Sequence, residues 1–308
     1  MLSAGSASAQ GLTAITRALS SVAIRQTDDP PPPPILPGFA PRNRIAVFRP
    51  LTREWFLRGD SGTVTSLPFG GPGDAPVPAD YLGTGKAQIA VFRSSTRQWF
   101  IRRDDGTPLT AEFGGPGDQP VPADYFGLGR AQIAVFRPST RQWFIRRDDG
   151  TAAIAEFGGP DDQPVPADYF GLRRTQIAVF RPSSGEWFLR RDDGSAATVL
   201  WGSDGDLPVP ADYFGLGRAM IAVYRPSDGQ FIIRTDLNQA VVVSIGQSGD
   251  LPLPGDYNGI GRAQMAVFRP GTGDWLLRTD TGSITRVPFG SPDDKPVPAL
   301  FAFRFGLP

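Results

Sequence analysis

A repeat with a constant step of 44 residues is the feature that most constrains this chain. The hexapeptide IAVFRP, or a close variant of it, occurs six times. Its copies begin at Ile45, Ile89, Ile133, Ile177, Ile221 and Met265. A step this strict indicates one structural unit that is repeated, with each unit packing against its neighbour in the same way.

Four short strands are predicted in each repeat. After IAVFRP at Ile133 come the run QWFIR, a tight turn at Asp149-Gly150, a third run, and PVPADY at Pro164. These runs alternate with a period of two or are continuously apolar, and none of them has a helical period. Four antiparallel strands per unit are typical of a β-propeller blade. Because one blade would expose two apolar faces, the sequence predicts an all-β, six-bladed β-propeller over residues 35–308.

The ring needs a closing strand, and the sequence offers one candidate too many. There are six sets of the second, third and fourth strands but seven candidates for the first, including PILPGF near Pro34 and KPVPALFAF at Lys295. We expect the C-terminal strand to complete the first blade, whose other strands come from residues 44–69, and to displace the N-terminal copy. The alternative is that a spare strand is donated to another subunit by β-augmentation.

Residues 1–34 differ in composition from the repeats and are predicted to form an N-terminal arm. Four apolar residues recur at helix-like spacing, which favours a short amphipathic helix. They are Leu12, Ile15, Leu19 and Val22. The prolines of residues 30–34 follow as a semi-rigid spacer. Such an arm suits assembly with a neighbouring subunit, and the alternatives are a disordered leader or a truncated export signal.

Composition excludes several classes of function. With 31 basic and 31 acidic residues the formal net charge is zero, so no overall field attracts nucleic acid or an anionic membrane. The chain has no cysteine and no histidine, which removes thiolate nucleophiles, imidazole bases and nearly every zinc site. No segment approaches the roughly 20 continuous apolar residues that a membrane span requires. We therefore expect a protein with no catalytic activity and no membrane span.

The repeat resembles a known family. The stretch PVPADYFGLGRAQIAVFRPSTRQWFIRRDDGT from Pro120 is similar to the FG-GAP/VCBS repeats of bacterial β-propellers, relatives of the integrin α-subunit propeller. The resemblance covers residues from about 35 to 304. It implies a calcium-holding loop with the pattern DxDxDGxxD in each blade. It also implies a binding module that is extracellular or attached to the cell surface.

The loops depart from the family pattern where calcium should bind. Only the first ligand position keeps its carboxylate, as in Asp80, Asp124, Asp168, Asp212 and Asp256. In the third repeat Phe126, Leu128 and Gln132 occupy the other ligand positions. Calcium takes six to eight oxygen ligands, which an isolated carboxylate cannot supply. We expect no metal and no cofactor, and we expect each Asp to accept hydrogen bonds within its own turn or to pair with an arginine.

The apolar residues of these loops allow two interpretations. They can tuck under their own loops in place of a metal, or they can point outward and form an interaction rim for a protein partner or another copy of the chain. The candidate rim residues are Leu82, Phe126, Leu128, Phe170, Leu172, Phe214, Leu216 and Ile260. Since all the loops emerge on one rim of the ring, the outward interpretation predicts an apolar annulus.

Repeated arginines and tryptophans suggest a carbohydrate or anion site, and each has a structural alternative. The arginines are Arg93, Arg137, Arg181, Arg102, Arg146 and Arg190. They can bind a sugar or anion in grooves between blades, or form an ion-pair network between blades. The tryptophans are Trp55, Trp99, Trp143, Trp187 and Trp275. They can be platforms for sugars, or they can pack in the core, which their apolar flanks favour.

The tripeptide Arg58-Gly59-Asp60 matches the sequence that integrins recognise and lies on a predicted hairpin turn. It is also a variant of the repeated RRDDG turn, and a chain of this composition can contain it by chance. It therefore stays a minor candidate for adhesion.

The sequence as a whole favours a calcium-independent, non-catalytic propeller that acts by protein binding or self-assembly outside the cell or at its surface. A multivalent carbohydrate-binding lectin is the first alternative. An enzyme with carboxylates gathered at the ring axis is the second.

Overall fold

Six four-stranded antiparallel sheets form a ring in a computed structural model that describes residues 43–297. Each sheet is one blade, and its strands meander from the first to the fourth. The predicted six-bladed β-propeller is confirmed. The expected N-terminal helix, its residues Leu12, Ile15, Leu19 and Val22, and the polyproline spacer lie outside the described residues.

The strands fall into four sets, one member of each per blade. The two-residue first strands are β24 Lys295–Pro296, β4 Ala75–Pro76, β8 Gln119–Pro120, β12 Gln163–Pro164, β16 Leu207–Pro208 and β20 Leu251–Pro252. The second strands are β1 Ala46–Arg49, β5 Ala90–Arg93, β9 Ala134–Arg137, β13 Ala178–Arg181, β17 Ala222–Arg225 and β21 Ala266–Arg269. The third strands are β2 Glu54–Arg58, β6 Gln98–Arg102, β10 Gln142–Arg146, β14 Glu186–Arg190, β18 Gln230–Arg234 and β22 Asp274–Arg278. The fourth strands are β3 Val64–Pro68, β7 Pro108–Glu112, β11 Ala152–Glu156, β15 Ala196–Leu200, β19 Ala240–Ser244 and β23 Ile284–Pro288.

The apolar pattern of each strand follows its place in the blade. In the second strands the first three residues are buried, because both faces of the sheet contact a neighbouring blade. The third strands bury alternate residues, and the fourth strands, at the outer edge, expose alternate residues. Continuous apolar runs therefore mark the middle of a blade, and alternating runs mark its outer part.

The C-terminal strand closes the ring, as the sequence predicts. β24 pairs antiparallel with β1, with Val47 opposite Pro296 and Phe48 opposite Lys295. The remaining strands of blade 1 are β1, β2 and β3. The N-terminal strand candidate near Pro34 lies outside the described residues.

Asn43 makes a second contact across this seam between blade 6 and blade 1. Its N–H donates to the carbonyl oxygen of Asp256 over 2.6 Å, and its side-chain oxygen accepts from the N–H of Asp256 over 3.0 Å. A Cβ added at Gly255 would lie 2.9 Å from Cγ of Asn43. That crowding explains why Gly255 stands where the other repeats have alanine.

The hydrophobic core lies between blades. One cluster joins Trp143 and Ile145 of blade 3 with Ile177 and Val179 of blade 4, and the other junctions have equivalent clusters. The five repeated tryptophans are at most 1% exposed, and Nε1 of Trp143 donates to the carbonyl oxygen of Phe157 over 3.1 Å. Core packing of these tryptophans is confirmed, and their interpretation as sugar platforms is wrong. In the described part of the chain no helix has the length and apolarity to span a membrane.

Candidate interaction rim and inter-blade grooves

Five loops join the first and second strands of blades 2 to 6 and together form what we call the rim. In the first of them Asp80 accepts the N–H of Thr84 at Oδ1 over 3.0 Å and the N–H of Gly85 at Oδ2 over 2.7 Å. The same pair of bonds recurs at Asp124, Asp168, Asp212 and Asp256. The prediction that the lone Asp accepts hydrogen bonds within its own turn is confirmed.

A glutamine completes each loop at the position of the last calcium ligand in the family pattern. Oε1 of Gln132 accepts the N–H groups of Tyr125 and Phe126 over 2.7 Å and 3.2 Å, and its Nε2 donates to the carbonyl oxygen of Arg130 over 2.8 Å. Gln88, Gln176 and Gln264 do the same, whereas blade 5 has Met220 at this position. A neutral amide therefore organises the loop, a role that sequence reasoning missed.

This arrangement bears on the prediction that the loops hold no calcium. Both oxygens of each repeated Asp are engaged by backbone N–H groups, and the neighbouring ligand positions offer apolar side chains or an amide. Within residues 43–297 no group of three or more carboxylate, histidine or cysteine side chains could hold a metal ion. Calcium independence stays a prediction, and the occupied carboxylate oxygens and apolar neighbours support it.

Neighbouring rim loops touch, so the rim is a continuous band. The N–H of Ala131 donates to the carbonyl oxygen of Asp80 over 2.7 Å, and a Cβ added at Gly83 would lie 3.5 Å from Cβ of Arg130. The same backbone bond links Thr175 to Asp124, Ala219 to Asp168, Ala263 to Asp212 and Asn43 to Asp256. Gly83 has a φ of 68°, which favours glycine at this close approach.

The apolar rim residues point outward, with one exception. Leu128 is 53% exposed, and Phe126 and Phe170 are each 37% exposed. Leu82, Leu172, Leu216 and Ile260 are also exposed. Phe214 is half-buried against the core of blade 5. Leu128 is therefore not buried under its own loop, and exposed apolar side chains recur on the rim loops of blades 2 to 6. That they form an interaction rim stays a prediction.

At the other end of each blade, a connector turn precedes the first strand and ends in a buried Asp. Asp118 accepts Nε and Nη2 of Arg137 over 2.7 Å and 3.0 Å, and its Oδ2 also accepts the N–H of Gly115 over 2.7 Å. The equivalent pairs are Arg49–Asp294, Arg93–Asp74, Arg181–Asp162, Arg225–Asp206 and Arg269–Asp250. The hydrogen bond with Asp118 raises the pKa of Arg137 above its usual value.

Ion pairing of Arg93, Arg137 and Arg181 is confirmed, but as separate pairs that each join an arginine to the turn entering its own blade, and not as a network between blades. Because each connector turn leads from one blade into the next, the pair fixes that passage. Two adjacent carboxylates, Asp161 and Asp162, lie in one of these turns, and Asp162 is the one that pairs with Arg181.

The second set of repeated arginines behaves differently. These residues end the third strands and are half-buried at the rim face: Arg58, Arg102, Arg146, Arg190, Arg234 and Arg278. None of them forms an ion pair with a carboxylate in the described part of the chain, so the ion-pair prediction is wrong for Arg102, Arg146 and Arg190. Their direct neighbours differ, since Nε of Arg234 donates to Oδ1 of Asn238 over 2.8 Å.

Two equivalent cavities open between blades on the rim face. One, of about 280 Å³, lies between blades 3 and 4 and is lined by Tyr125, Phe126, Ile145, Ile177 and Arg190 among others. The other, of about 240 Å³, lies between blades 6 and 1. It is lined by the counterparts Tyr257, Asn258, Leu277, Ile45 and Arg58. The grooves foreseen as candidate sugar or anion sites are thus present at these junctions.

The Arg58-Gly59-Asp60 tripeptide borders the second cavity. Arg58 ends strand β2, and the carbonyl oxygen of Gly59 accepts the N–H of Gly62 over 3.0 Å in a closed hairpin turn. Its role in adhesion stays a prediction.

No protein-family model and no curated protein matches the chain in sequence. Membership of the FG-GAP/VCBS repeats therefore stays a prediction. Solved structures do match in fold. The chain is similar to virginiamycin B lyase from Staphylococcus aureus, with a TM-score of 0.53 and 10% identity, covering 83% of this chain and 87% of that one.

Two further similar structures are binding proteins by their descriptions. A lectin from Agrocybe aegerita that recognises non-reducing terminal N-acetylglucosamine matches with a TM-score of 0.52 and 17% identity, covering 79% of this chain and 75% of that one. The protein BBS1N, solved in complex with ARL6DN, matches with a TM-score of 0.52 and 12% identity, covering 84% and 80%. At such low identity these likenesses show a shared β-propeller fold and nothing more.

Proposed function

We propose that this protein is a non-catalytic β-propeller that binds protein through its rim, and that its partner is another copy of the same chain. The exposed apolar annulus is the observation that carries the proposal. Exposed Leu, Phe and Ile side chains recur at equivalent positions on loops whose backbones touch. Apolar side chains that are grouped in this way on a surface favour a protein interface over singly scattered ones.

The internal hydrogen bonds of the rim loops also support a binding role for their exposed apolar side chains. In every rim loop the carboxylate accepts N–H groups of its own backbone, and in four of the five a glutamine does so as well, so the loop that carries the apolar side chains is braced internally. A rigid surface loses little conformational entropy when a partner docks. Leu128 and its counterparts are therefore presented in a fixed arrangement.

The position of Asn43 favours self-association. This first described residue is bonded to Asp256 of the last rim loop, so residues 1–42 join the ring at the rim face. The apolar residues Leu12, Ile15, Leu19 and Val22 belong to that segment. An arm that starts beside the annulus can reach the annulus of a second copy.

The test is sedimentation velocity over a concentration series. We expect the full chain to self-associate, and we expect the variant L128S/L172S/L216S to stay monomeric. The matched control I154S/L200S/V242S removes apolar side chains that are similarly exposed on the fourth strands of the same three blades. It should associate like the wild type.

Deleting residues 1–34 addresses the arm separately, and we expect a folded monomer. If the wild type is monomeric throughout the series, or if the rim variant associates as strongly as the control, the proposal fails.

Multivalent carbohydrate binding is the second candidate function. The cavities that recur between blades favour it, since a repeated groove offers a repeated site. The buried tryptophans do not contribute to such sites. An axial catalytic site has no comparable support, because the repeated buried carboxylates of the connector turns are all ion-paired.

A further inference from the structure

The half-buried arginine in the inter-blade groove lacks the partner that other arginines in the same blade have. In blade 4, Arg181 is held by both oxygens of Asp162. Arg190, at the end of the adjacent strand β14, is half-buried and forms no ion pair with a described carboxylate. A guanidinium group that is partly removed from water gains most from a carboxylate, which can accept two parallel hydrogen bonds.

Arg190 reaches the groove from the side of blade 4. Along β14, Trp187 and Leu189 are buried, while Phe188 and Arg190 alternate with them, and Phe188 packs against the core cluster of blade 3. The side chain of Arg190 therefore lies on the face that borders the cavity, where it is a lining residue together with Arg191.

A second polar element lies beside this arginine. Arg174 and Asp192 both line the groove and form an ion pair with each other. The pair offers hydrogen-bond donors and acceptors next to one another. The groove between blades 6 and 1 has Asp60, Asn258 and Thr279 in its lining. Neighbouring donors and acceptors suit hydroxyl groups, which both donate and accept.

The rest of the groove is apolar and small. Ile145, Ala155 and Ile177 contribute to its lining, and Phe126 adds an aromatic side chain. Its volume of about 280 Å³ is close to the lower end, roughly 300 Å³, of the range for small-molecule sites. A single ring with an apolar face fits this size, whereas a peptide would need a longer channel.

We propose that these grooves bind a sugar acid, with its carboxylate on the unpaired arginine, its hydroxyl groups on the neighbouring polar residues and its ring on the apolar lining. This inference rests on the second candidate function and gives it a site and a ligand chemistry. Because Arg58 and Arg190 occupy equivalent positions in the two grooves, the ring would present at least two such sites. Weak binding at each site would then add up on a surface that carries many acidic sugars.

The test is isothermal titration calorimetry of the full chain with sodium glucuronate, glucose and sodium acetate. Glucose has the ring without the carboxylate, and acetate has the carboxylate without the ring. We expect glucuronate to bind about tenfold more tightly than either. The variant R58Q/R190Q, which changes the equivalent arginine of both grooves, should bind fewer glucuronate molecules per chain. R190K, which keeps the charge but loses the planar fork, should weaken binding at its groove.

The matched control is R53Q/R141Q, which removes two exposed arginines from the turns at the opposite face. Its glucuronate binding should equal that of the wild type. If R58Q/R190Q does not fold, R190Q alone is compared with R141Q in the same assay.

Three results would overturn the inference. Equal affinity for glucose means a neutral-sugar site, in which case the lectin function stands and the sugar-acid chemistry fails. Equal affinity for acetate means a bare anion site. Absence of glucuronate binding removes both the inference and the lectin function, while the rim proposal stays open to its own test, because L128S/L172S/L216S leaves the groove arginines in place.

Discussion

The two ends of each blade use the same residue, aspartate, in opposite ways. At the connector turn Asp162 is buried under Arg181, and the pair is neutral and structural. At the rim Asp168 accepts two backbone N–H groups and forms no ion pair with Arg190. The connector turns thus satisfy their charges internally. The rim leaves apolar side chains and guanidinium groups available for other molecules, which is why both proposals concern that face.

Removing the two aspartates of blade 4 should have the largest effect and would sharpen this contrast. D162A leaves the guanidinium of Arg181 and the N–H of Gly159 without their acceptor, and we expect the free energy of unfolding to fall by about 3 kcal/mol, reduced somewhat by solvent around Arg181. D168A removes two neutral-donor hydrogen bonds, and we expect a loss of about 1 to 2 kcal/mol. Urea denaturation measures both.

The exposed neighbour Asp161 provides the matched control. D161A should change the free energy of unfolding by no more than about 0.5 kcal/mol. An equal loss for D162A and D168A would contradict the proposed difference between the two ends.

Gln132→Met tests how the rim loop is organised. Blade 5 has Met220 at this position, so the substitution fits the loop, but it leaves the N–H groups of Tyr125 and Phe126 without their shared acceptor. We expect a loss of about 1 kcal/mol in urea denaturation. The reverse change, M220Q, should stabilise or leave the protein unchanged. A destabilised M220Q together with a neutral Q132M would mean that the glutamine does not support the loop.

Tyr224→Phe tests the connector end and should have the smallest effect. The Tyr224 hydroxyl is buried without a hydrogen-bond partner, and the other five repeats have Phe at this position. We expect Y224F to raise the free energy of unfolding at pH 7 by up to about 1 kcal/mol. At the rim end, Tyr125→Phe removes a bond to the carbonyl oxygen of Val121 and should lower it by a similar amount.

The same tyrosine gives a pH dependence. Burial, followed by the charge of Asp250, raises the pKa of Tyr224 to about 12, whereas an unfolded tyrosine titrates near 10. The protonated Tyr224 hydroxyl therefore contributes to the free energy of unfolding in full below about pH 10, and this contribution is lost as the pH rises toward about 12. In thermal unfolding between these values the melting temperature of Y224F should fall less than that of the wild type. An identical decline in both would contradict the assignment.

Much of the fold follows from the sequence, because its determinants are local and repeated. The 44-residue step, the buried IAVFRP runs and the extra strand candidate at Lys295 are enough to predict six blades and their closure. The burial of the tryptophans also follows from their apolar flanks. The sequence also predicts that repeated arginines pair with carboxylates, but it does not say which arginine meets which aspartate.

The site could be predicted only in part. Whether Leu128 faces inward or outward depends on glycines with positive φ on both sides of it, which set its direction independently of its polarity. The role of Gln132 depends on a fold-back of the loop that places its amide beside Tyr125. Arg190 and Arg181 have similar sequence surroundings, so only their positions at opposite ends of the blade separate them. The recurrence of Gln at one position of the rim loops was the sequence signal that could have predicted its role in organising them.

In blades 3 to 6 each rim loop donates a backbone hydrogen bond to the aspartate carbonyl oxygen of the preceding loop, so these contacts all run in one direction around the ring. Asn43 makes the same bond to Asp256, and a partner anchored on one loop therefore meets its neighbour on the same side at each described junction. About five near-equivalent positions multiply the association constant by a statistical factor worth about 1 kcal/mol. A partner that recognises the repeated pair of neighbouring loops gains this statistical factor, whereas a partner that recognises a feature of one blade does not.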